Sequence, residues 1–518
     1  MDKNTLIAVV VSTVFLIFWW TYFQPKPVPK SPVQTAAQSA EIDTEKTQPE
    51  TAAAAPVKLS PGKETVFETD KYRAVFTSKG GAIKEWWLKE KNGSKPVNLA
   101  LYSDSRFLST FPETSFSAVQ RGKDTIIFEG ILPSGARIKK TYTLADDYLN
   151  KLEIELSGGR KSGDDLSINL GPGIGTDVKE LKENLGLMRA LAFRSEKPKE
   201  LKVLKPGEYP AGEFKWVAID NRYFLSSLIP GDDNGFDSLI VKKSDKKAPS
   251  EIFLVKRAGK PVRLSLQFYL GPKGHGSLKY YKLGLEEAVD FGFFGFLGKM
   301  ALAALSFFYK ITGNYGWGII LLTIMLQILV YPLSLKSFKS SAAMKKLQPK
   351  MKEIQTKFKD DQKRLNMEMM NLYKSEGFNP LGGCLPMILQ LPIFWALFTT
   401  LRNAYELRGA PWIWWIKDLS SADRLFSDLL GLPFTVGLLP ILMGLGMLVQ
   451  QKMTSASSDP SQAMMMYMLP VVFTFMFMGF PSGLVLYWLV NSLMTMVEMY
   501  FILHLPEKRA AKASAKMA

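Results

Sequence analysis

The amino-acid sequence predicts a multi-domain membrane protein in which an all-α, polytopic bundle is joined to a large all-β domain. Two observations predict the bundle: roughly the last two hundred residues hold five apolar runs of bilayer length, and a sixth run lies near the amino terminus. A third observation predicts the all-β domain. In the long stretch between these runs, short segments alternate between apolar and polar residues.

The apolar runs are long enough to cross a bilayer as helices, which takes about 20 residues for ~30 Å of hydrocarbon. Five core helices are expected at residues 318–335, 384–401, 432–451, 464–480 and 482–503, and one N-terminal anchor helix at residues 6–23. The N-terminal run leads into Trp19, Trp20 and Pro25 with no small-residue cleavage site. An uncleaved anchor is therefore favoured over a secretory signal.

The distribution of basic residues predicts the orientation, because Lys and Arg in short loops are retained in the cytoplasm. Residues 336–376 hold eleven basic and five acidic residues, and residues 507–518 hold four and one. The loop at residues 402–428 is balanced, with four of each. With six spans, both termini and the basic segment are expected in the cytoplasm, and the segment from residue 24 to about residue 290 outside.

Residues 291–309 are as apolar as a span, but Lys299 lies at their middle. A lysine at the centre of a bilayer costs about 2.5–3.5 kcal/mol on insertion scales. A helix lying in the interface keeps Lys299 in water while Phe294, Leu297 and Phe308 enter the acyl boundary. The interfacial helix is favoured, and a further span is the alternative.

The exported part begins with a tether. Residues 24–61 hold seven prolines and no aromatic residue, so they bury too little apolar surface to fold. Alternating segments broken by Gly, Pro, Asn and Asp begin at residue 62, and they predict an antiparallel sandwich. These segments are residues 72–77, 125–128, 138–144, 152–156, 252–255 and 262–270.

Composition excludes several kinds of site. The chain has one cysteine, Cys384, so it cannot form an internal disulfide or a multi-thiolate metal site. Its two histidines, His275 and His504, have no local catalytic partner, and His275 is expected to be a solvated loop residue. There is no Walker A sequence, and the turn at residues 171–175 has the wrong spacing for a phosphate loop. We therefore expect no enzyme, cofactor or metal site.

The basic segment is patterned as an antiparallel helical hairpin. Apolar residues recur every three or four positions from Met344 to Phe358, and again from Leu365 to Leu372, after Asp360 and Asp361. Pro349 either interrupts the first helix or marks where it leaves the membrane. Two interpretations stay open: a solvated charged hairpin, or a surface that contacts ribosomal RNA, acidic lipid or an emerging chain.

Polar residues are sparse in the predicted spans. They are Thr323, Gln327, Gln390, Asn491, Ser492 and Glu498. Such groups usually face a bundle interior or a water-filled cavity. They also bond between helices, at under about 1 kcal/mol each, and as isolated residues this structural role is favoured.

Several long motifs closely resemble the YidC/Oxa/Alb family of membrane protein insertases. In the helical part these are NPLGGCLPMILQLPIF at residues 379–394, FPSGLVLYWLVN at residues 480–491, YP at residues 331–332, LQP at residues 347–349 and ELRGAP at residues 406–411. The exported part resembles the Gram-negative YidC form at ETDKYRAVF (residues 68–76), GG (80–81), DNRYF (220–224) and FYLGPK (268–273).

The resemblance implies five core helices around a hydrophilic groove open to the cytoplasm and the lipid, and a periplasmic β-supersandwich. It places Thr323 and Trp488 at groove and substrate-contact positions, and we expect Gln390 and Asn491 to keep the groove wet. Gln327 aligns with an arginine that family members carry in this groove. The chain therefore departs from the family at a charged position.

The implied function is a membrane protein insertase and chaperone of the inner membrane that acts alone or with the Sec translocon. Expected partners are nascent membrane proteins, the lipid bilayer and, weakly, the ribosome, with no small-molecule substrate. The hairpin would present Lys345, Lys346, Lys350, Lys352 and Lys357, and the tail would dock the ribosome through Lys508, Arg509, Lys512 and Lys516. A small-solute transporter and a membrane-tethered sugar-binding protein are the rival classes.

Together these inferences divide the chain into eight parts. They are an anchor (1–23), a tether (24–61), a β-supersandwich (62–285), an interfacial helix (286–311), a second span (312–335), a cytoplasmic hairpin (336–380), spans three to six (381–503) and a basic tail (504–518).

Overall fold

The computed structural model describes residues 64–89, 96–100, 107–158, 165–176, 187–194, 201–231, 236–243, 250–257, 261–359, 361–376, 385–454 and 460–517. The predicted anchor and tether lie outside these residues. Within them, a strand-rich region is followed by a helical region. The predicted fold class, a helical core joined to a large β domain, is confirmed.

The β domain is built from antiparallel strands. They are β1 (Glu64–Glu68), β2 (Tyr72–Thr77), β3 (Ala82–Leu88), β4 (Val97–Asn98), β5 (Ser117–Arg121), β6 (Thr125–Ile131), β7 (Arg137–Thr143), β8 (Leu149–Ser157), β9 (Leu166–Asn169), β10 (Arg189–Arg194), β11 (Leu201–Val203), β12 (Gly207–Pro210), β13 (Phe214–Asp220), β14 (Phe224–Pro230), β15 (Ser238–Lys243), β16 (Ser250–Lys256) and β17 (Val262–Pro272). One nine-stranded sheet has the order β11-β10-β13-β14-β17-β8-β7-β6-β5. Two four-stranded sheets have the orders β1-β2-β3-β4 and β12-β15-β16-β9.

Strand β8 shows why the alternating segments form this sheet. Leu152, Ile154 and Leu156 are almost fully buried, whereas the intervening Glu153 and Glu155 are partly exposed. Successive side chains on a strand point to opposite faces, so one face of β8 enters the core and the other meets solvent. The six predicted alternating segments all overlap described strands.

Lys140 is an exception to this pattern, because its side chain is fully buried in the β domain. Its ammonium donates to the carbonyl oxygens of Gly81 at 2.6 Å, Leu108 at 2.7 Å and Gly80 at 3.2 Å. Burial lowers the pKa of Lys140 well below its usual value. Three accepting carbonyls use the full donor capacity of the ammonium, which is how a buried lysine is tolerated.

The described helices are α1 (His275–Tyr280), α2 (Gly295–Thr312), α3 (Tyr315–Lys357), α4 (Gln362–Ser375), α5 (Leu385–Asn403), α6 (Leu425–Leu430), α7 (Leu438–Thr454), α8 (Pro460–Phe477) and α9 (Ser482–Met517). Short 3-10 turns lie at Ala211–Glu213, Leu285–Ala288 and Tyr405–Leu407. By length and composition, two segments of the described helices are candidate membrane spans, Tyr315–Phe338 in α3 and Ser482–Ile502 in α9. Leu438–Met453 and Tyr467–Phe477 are shorter apolar helices.

Helix α3 runs from the first core span into the basic segment without a break. Its start is capped by Asn314, whose side-chain oxygen accepts from the backbone N–H groups of Gly316 at 2.8 Å and Trp317 at 3.4 Å. Neither Pro332 nor Pro349 ends the helix. The predicted second span and the first leg of the hairpin are therefore parts of one helix.

Helix α7 begins at Leu438, six residues after the start of the apolar run at residues 432–451. The start of that run belongs to the preceding loop, where the Ser427 hydroxyl donates to the carbonyl of Phe434 at 2.8 Å. The Asp423 carboxylate then accepts from the backbone N–H of Leu439 at 2.7 Å. A carboxylate at this place satisfies an N–H of the first helical turn that would otherwise have no partner.

The β domain packs directly against the helical region. The Arg222 guanidinium donates to the carbonyl of Arg402 at 2.8 Å, and the Asn403 amide donates to the carbonyl of Asp290 at 3.0 Å. One apolar cluster includes Trp216 of β13 and Leu397 of α5. This cluster makes the packing continuous from the nine-stranded sheet into the helical region.

Helix α2 lies at this junction, between the β domain and the core helices. Lys299 reaches back to Glu287, with its Nζ 3.2 Å from the carboxylate. Phe293, just before the helix, and Phe296 are mostly exposed. An ion-paired lysine beside exposed aromatic rings is compatible with the interfacial placement, which stays a prediction.

Candidate functional site between three helices

A polar stripe runs along α9. Tyr487, Asn491, Thr495 and Glu498 follow one another at intervals of three or four residues. At about 100° per residue these four side chains fall within a sector of about 80°, so they share one face of the helix. The stripe faces helices α3 and α5, each of which contributes a glutamine to it.

The glutamine from α5 is Gln390. Its Nε2 donates to the Tyr487 hydroxyl oxygen at 3.0 Å and to Asn491 Oδ1 at 3.2 Å. Tyr487 is almost fully buried, whereas Gln390 and Asn491 are half-buried. The polar stripe thus becomes accessible beside Gln390.

The glutamine from α3 is Gln327. Its Nε2 donates to Thr495 Oγ1 at 3.0 Å, and that hydroxyl donates to the carbonyl of Asn491 at 2.8 Å. Gln327 and Thr495 are both buried. The hydrogen bond between them joins the first and last core spans.

Thr323 lies one turn before Gln327 and is fully buried. Its hydroxyl donates to the carbonyl of Ile319 in the same helix, at 2.7 Å. The polar region is therefore closed around Thr323 and Gln327, while Gln390 and Asn491 lie at its accessible part.

Trp488 packs beside the stripe rather than joining it. Its ring lies 5.1 Å from that of Phe394, 5.4 Å from that of Phe477 and 6.1 Å from that of Phe473, between ring centroids. These rings come from α5 and α8. The Trp488 ring thus forms an apolar wall next to the hydrogen-bonded glutamine on α5.

Of the five predicted groove residues, Gln327, Gln390 and Asn491 belong to one hydrogen-bonded network, and Thr323 and Trp488 lie beside it. Tyr487 and Thr495 also belong to the network, although sequence reasoning did not select them. The available signal was their spacing, since Tyr487 lies four residues before Asn491 and Thr495 four residues after it. Both positions are on the same helix face as Asn491.

The hairpin carries its lysines on the solvent side. Lys346 and Lys352 are exposed, and Lys350 pairs with Glu376 at 2.6 Å. The Lys357 ammonium lies 5.6 Å from the centroid of the Phe358 ring. The Lys345 side chain and the tail side chains of Lys508, Arg509, Lys512 and Lys516 lie outside the described residues.

Leu347 and Met351 form the buried seam of the hairpin, as the periodicity predicts. Helix α4 returns against this leg, and its start is capped by Asp361, whose carboxylate accepts from the backbone N–H of Arg364 at 3.0 Å.

His275 is not a solvated loop residue, and that expectation was wrong. It is the first residue of α1 and is half-buried, with its ring 5.2 Å from the ring of Phe291. Burial lowers the pKa of His275, and the nearby Lys299 charge lowers it further. Among the described residues, no cluster of three or more His, Cys, Asp or Glu side chains could hold a metal ion.

Two family models match the chain. The model described as 60Kd inner membrane protein matches residues 307–509, and the model described as YidC periplasmic domain matches residues 64–303.

Curated relatives match over nearly the whole length. The membrane protein insertase YidC of Endomicrobium trichonymphae is 48% identical over 514 residues, which cover 97% of this chain and 98% of the relative. The protein of the same name from Pelobacter propionicus is 36% identical over 540 residues, with 97% and 99% covered.

Solved structures are more distant. A crystal structure of an active YidC insertase with its first transmembrane domain resolved is 20% identical, with 87% of this chain and 95% of that chain covered and a TM-score of 0.41. A putative aldose 1-epimerase from Escherichia coli K12 is 8% identical, with 40% and 99% covered and a TM-score of 0.28.

Proposed function

Because this chain belongs to the YidC family of membrane protein insertases, we propose that it inserts nascent proteins along the polar network between α3, α5 and α9. The chain is a membrane protein insertase. We propose a path through the protein, the parts of the chain that serve this path and the partners that the protein meets.

The proposed path is supported mainly by the side-chain hydrogen bonds that two glutamines, on α3 and α5, donate to helix α9. Gln390 bonds to Tyr487 and Asn491, and Gln327 bonds to Thr495. Polar side chains within a bilayer are costly unless they find partners or water. Each of these bonds can be exchanged for a bond to a polar group of an incoming chain, so the network offers an entry path that lipid does not.

In the proposed mechanism, the polar flank of a nascent segment enters beside Gln390 and Asn491, where the network is accessible. Separation of Gln327 from Thr495 then opens the path between the first and last core spans. The hydrophobic segment leaves into lipid along these helices. Burial of apolar surface provides about 25 cal/mol per Å², so the step requires no nucleotide hydrolysis.

Several further features belong to the same proposal. The protein lies in the inner membrane with both termini in the cytoplasm and the β domain in the periplasm, and it also assists the folding and assembly of its substrates. It acts alone or beside the Sec translocon. Its role is not enzymatic and uses no small-molecule substrate.

Reconstitution tests the proposed path. We expect purified protein in liposomes to insert a single-span substrate, measured as protease-protected fragment, and the double variant Gln390→Leu with Asn491→Leu to insert it about tenfold more slowly. Removing both partners of the Gln390–Asn491 bond is close to neutral for folding, and only the Tyr487 hydroxyl loses a partner, so a loss of about tenfold would mainly reflect the path. The control is a double variant that also introduces two leucines, but at the exposed positions Val497 and Val471: Val497→Leu with Val471→Leu. Equal rates for the two double variants would place the path elsewhere.

The basic tail is proposed to assist ribosome docking. Four cations, at Lys508, Arg509, Lys512 and Lys516, would contact ribosomal RNA phosphates, and the contribution should be modest and sensitive to salt. We expect removal of residues 507–518 to weaken ribosome co-sedimentation at low salt and to change little at high salt. Unchanged co-sedimentation at low salt would contradict this role.

A further inference from the structure

We propose that Glu498 binds the Lys or Arg side chains in the cytoplasmic flank of a nascent segment, and so sets a preference for substrates with basic flanks. This inference rests on the proposed path and names a residue that determines its specificity. Three observations support it: the apolar runs contain no other charged residue, the Glu498 carboxylate is buried, and Glu498 lies on the polar stripe.

Glu498 is the one charged residue in the five C-terminal apolar runs. Residues 318–335, 384–401, 432–451 and 464–480 hold no Asp, Glu, Lys or Arg, and residues 482–503 hold Glu498 alone. A carboxylate in a membrane helix is energetically unfavourable, and it usually faces the interior of the bundle and pairs with another ionisable residue or a backbone group. No other position within these runs offers a cation as a partner.

The carboxylate is also buried. Glu498 is 8% exposed, and its Oε2 has no hydrogen-bond partner among the residues that the structure describes. Within the described ranges, no Lys, Arg or His forms an ion pair with the Glu498 carboxylate. By contrast, Gln327, Gln390 and Thr495 each use their polar groups in a bond to another side chain. Glu498 therefore retains an acceptor that a substrate can use.

The position of Glu498 indicates which part of a substrate it meets. It lies one turn beyond Thr495 on the polar stripe, or about 4.5 Å along the axis, and four residues before the end of the candidate span at Ile502. In the proposed orientation this end is cytoplasmic. A flank that stays on this side of the membrane, at the end of the polar stripe, would therefore lie beside the Glu498 carboxylate.

The chemistry of that flank follows from its side of the membrane. Lys and Arg are the residues that remain on the cytoplasmic side of inserted segments. A buried carboxylate attracts a cation far more strongly than an exposed one does, because the low local dielectric weakens the screening. An acidic flank would be repelled at the same position. Glu498 therefore discriminates between flanks by the sign of their charge.

The test uses the full-length protein in liposomes and three single-span substrates that differ only in the cytoplasmic flank, which holds three Lys, three Gln or three Glu. We expect the parent to insert them in the order Lys, Gln, Glu. Glu498→Gln, which keeps the shape and removes the charge, should slow the Lys-flanked substrate about tenfold more than it slows the Gln-flanked one. Glu498→Asp should retain the order, and Glu498→Lys should reverse it.

Each outcome separates the inference from the proposed function. If the parent does not insert the Gln-flanked substrate, the proposed path fails. If the parent inserts it but Glu498→Gln slows all three substrates equally, Glu498 only holds helices together and the charge preference is refuted. A reversed order for Glu498→Lys cannot arise from poor folding, because misfolding would lower all three rates together.

Discussion

Replacing residues 337–376 with a short neutral linker is expected to abolish insertion while membrane levels of the protein stay unchanged. The physical reason is the continuity of α3, in which the helix that carries Gln327 extends directly into the hairpin. A nascent chain bound to the hairpin is therefore held close to the network by a stiff connection. Insertion of a single-span substrate in cells depleted of the native protein, followed by protease protection, measures the effect.

The matched control keeps the hairpin and removes five of the eleven positive charges in residues 336–376. It replaces Lys345, Lys346, Lys350, Lys352 and Lys357 with glutamine. The apolar seam of Leu347 and Met351 remains, so α4 can still pack on α3. Partial activity in this variant would assign the main role to the hairpin as a scaffold, and complete loss would assign it to the basic surface. Normal insertion by the linker variant would refute a role for the hairpin in insertion.

The fold class could be predicted because it depends on periodicity, which a sequence displays directly. Alternating apolar and polar residues in β8 indicate a strand with one face in the core and one face toward solvent. A long apolar run such as residues 318–335 indicates a membrane helix. Element boundaries were less predictable. Hydrophobicity alone could not show that residues 432–437 belong to a loop, because Asp423 and Ser427 fix that loop from outside the run.

The candidate site was only partly predictable for a similar reason. Gln390, Gln327 and Asn491 stand out as polar residues in apolar runs, whereas Tyr487 and Thr495 are ordinary members of many membrane helices. Their importance arises from pairs such as Gln327 and Thr495, which are 168 residues apart in the chain. The bond from Arg222 to the carbonyl of Arg402 likewise spans 180 residues and has no sequence signal.

The Gln327 position is expected to control how strongly insertion depends on substrate charge. A formal charge attracts an acidic substrate tail over a distance, whereas an amide offers only short-range hydrogen bonds. We expect Gln327→Arg to speed insertion of substrates with acidic tails selectively. Gln327→Leu should slow most substrates, because it removes the amide that would bond to polar groups of the incoming chain and so dries the path between α3 and α9.

Replacing Glu498 is expected to enlarge the first effect and supplies its control. With a guanidinium at position 327, the nearby carboxylate would cancel part of the new charge, so Gln327→Arg combined with Glu498→Gln should favour acidic tails more than Gln327→Arg alone. Initial insertion rates of acidic-tailed and neutral-tailed versions of one substrate measure both effects. Because Gln327 is buried within the network, any charge placed there acts inside the proposed path. Equal rates for the two tails in the parent and in both Arg variants would show that charge at this position is irrelevant to insertion.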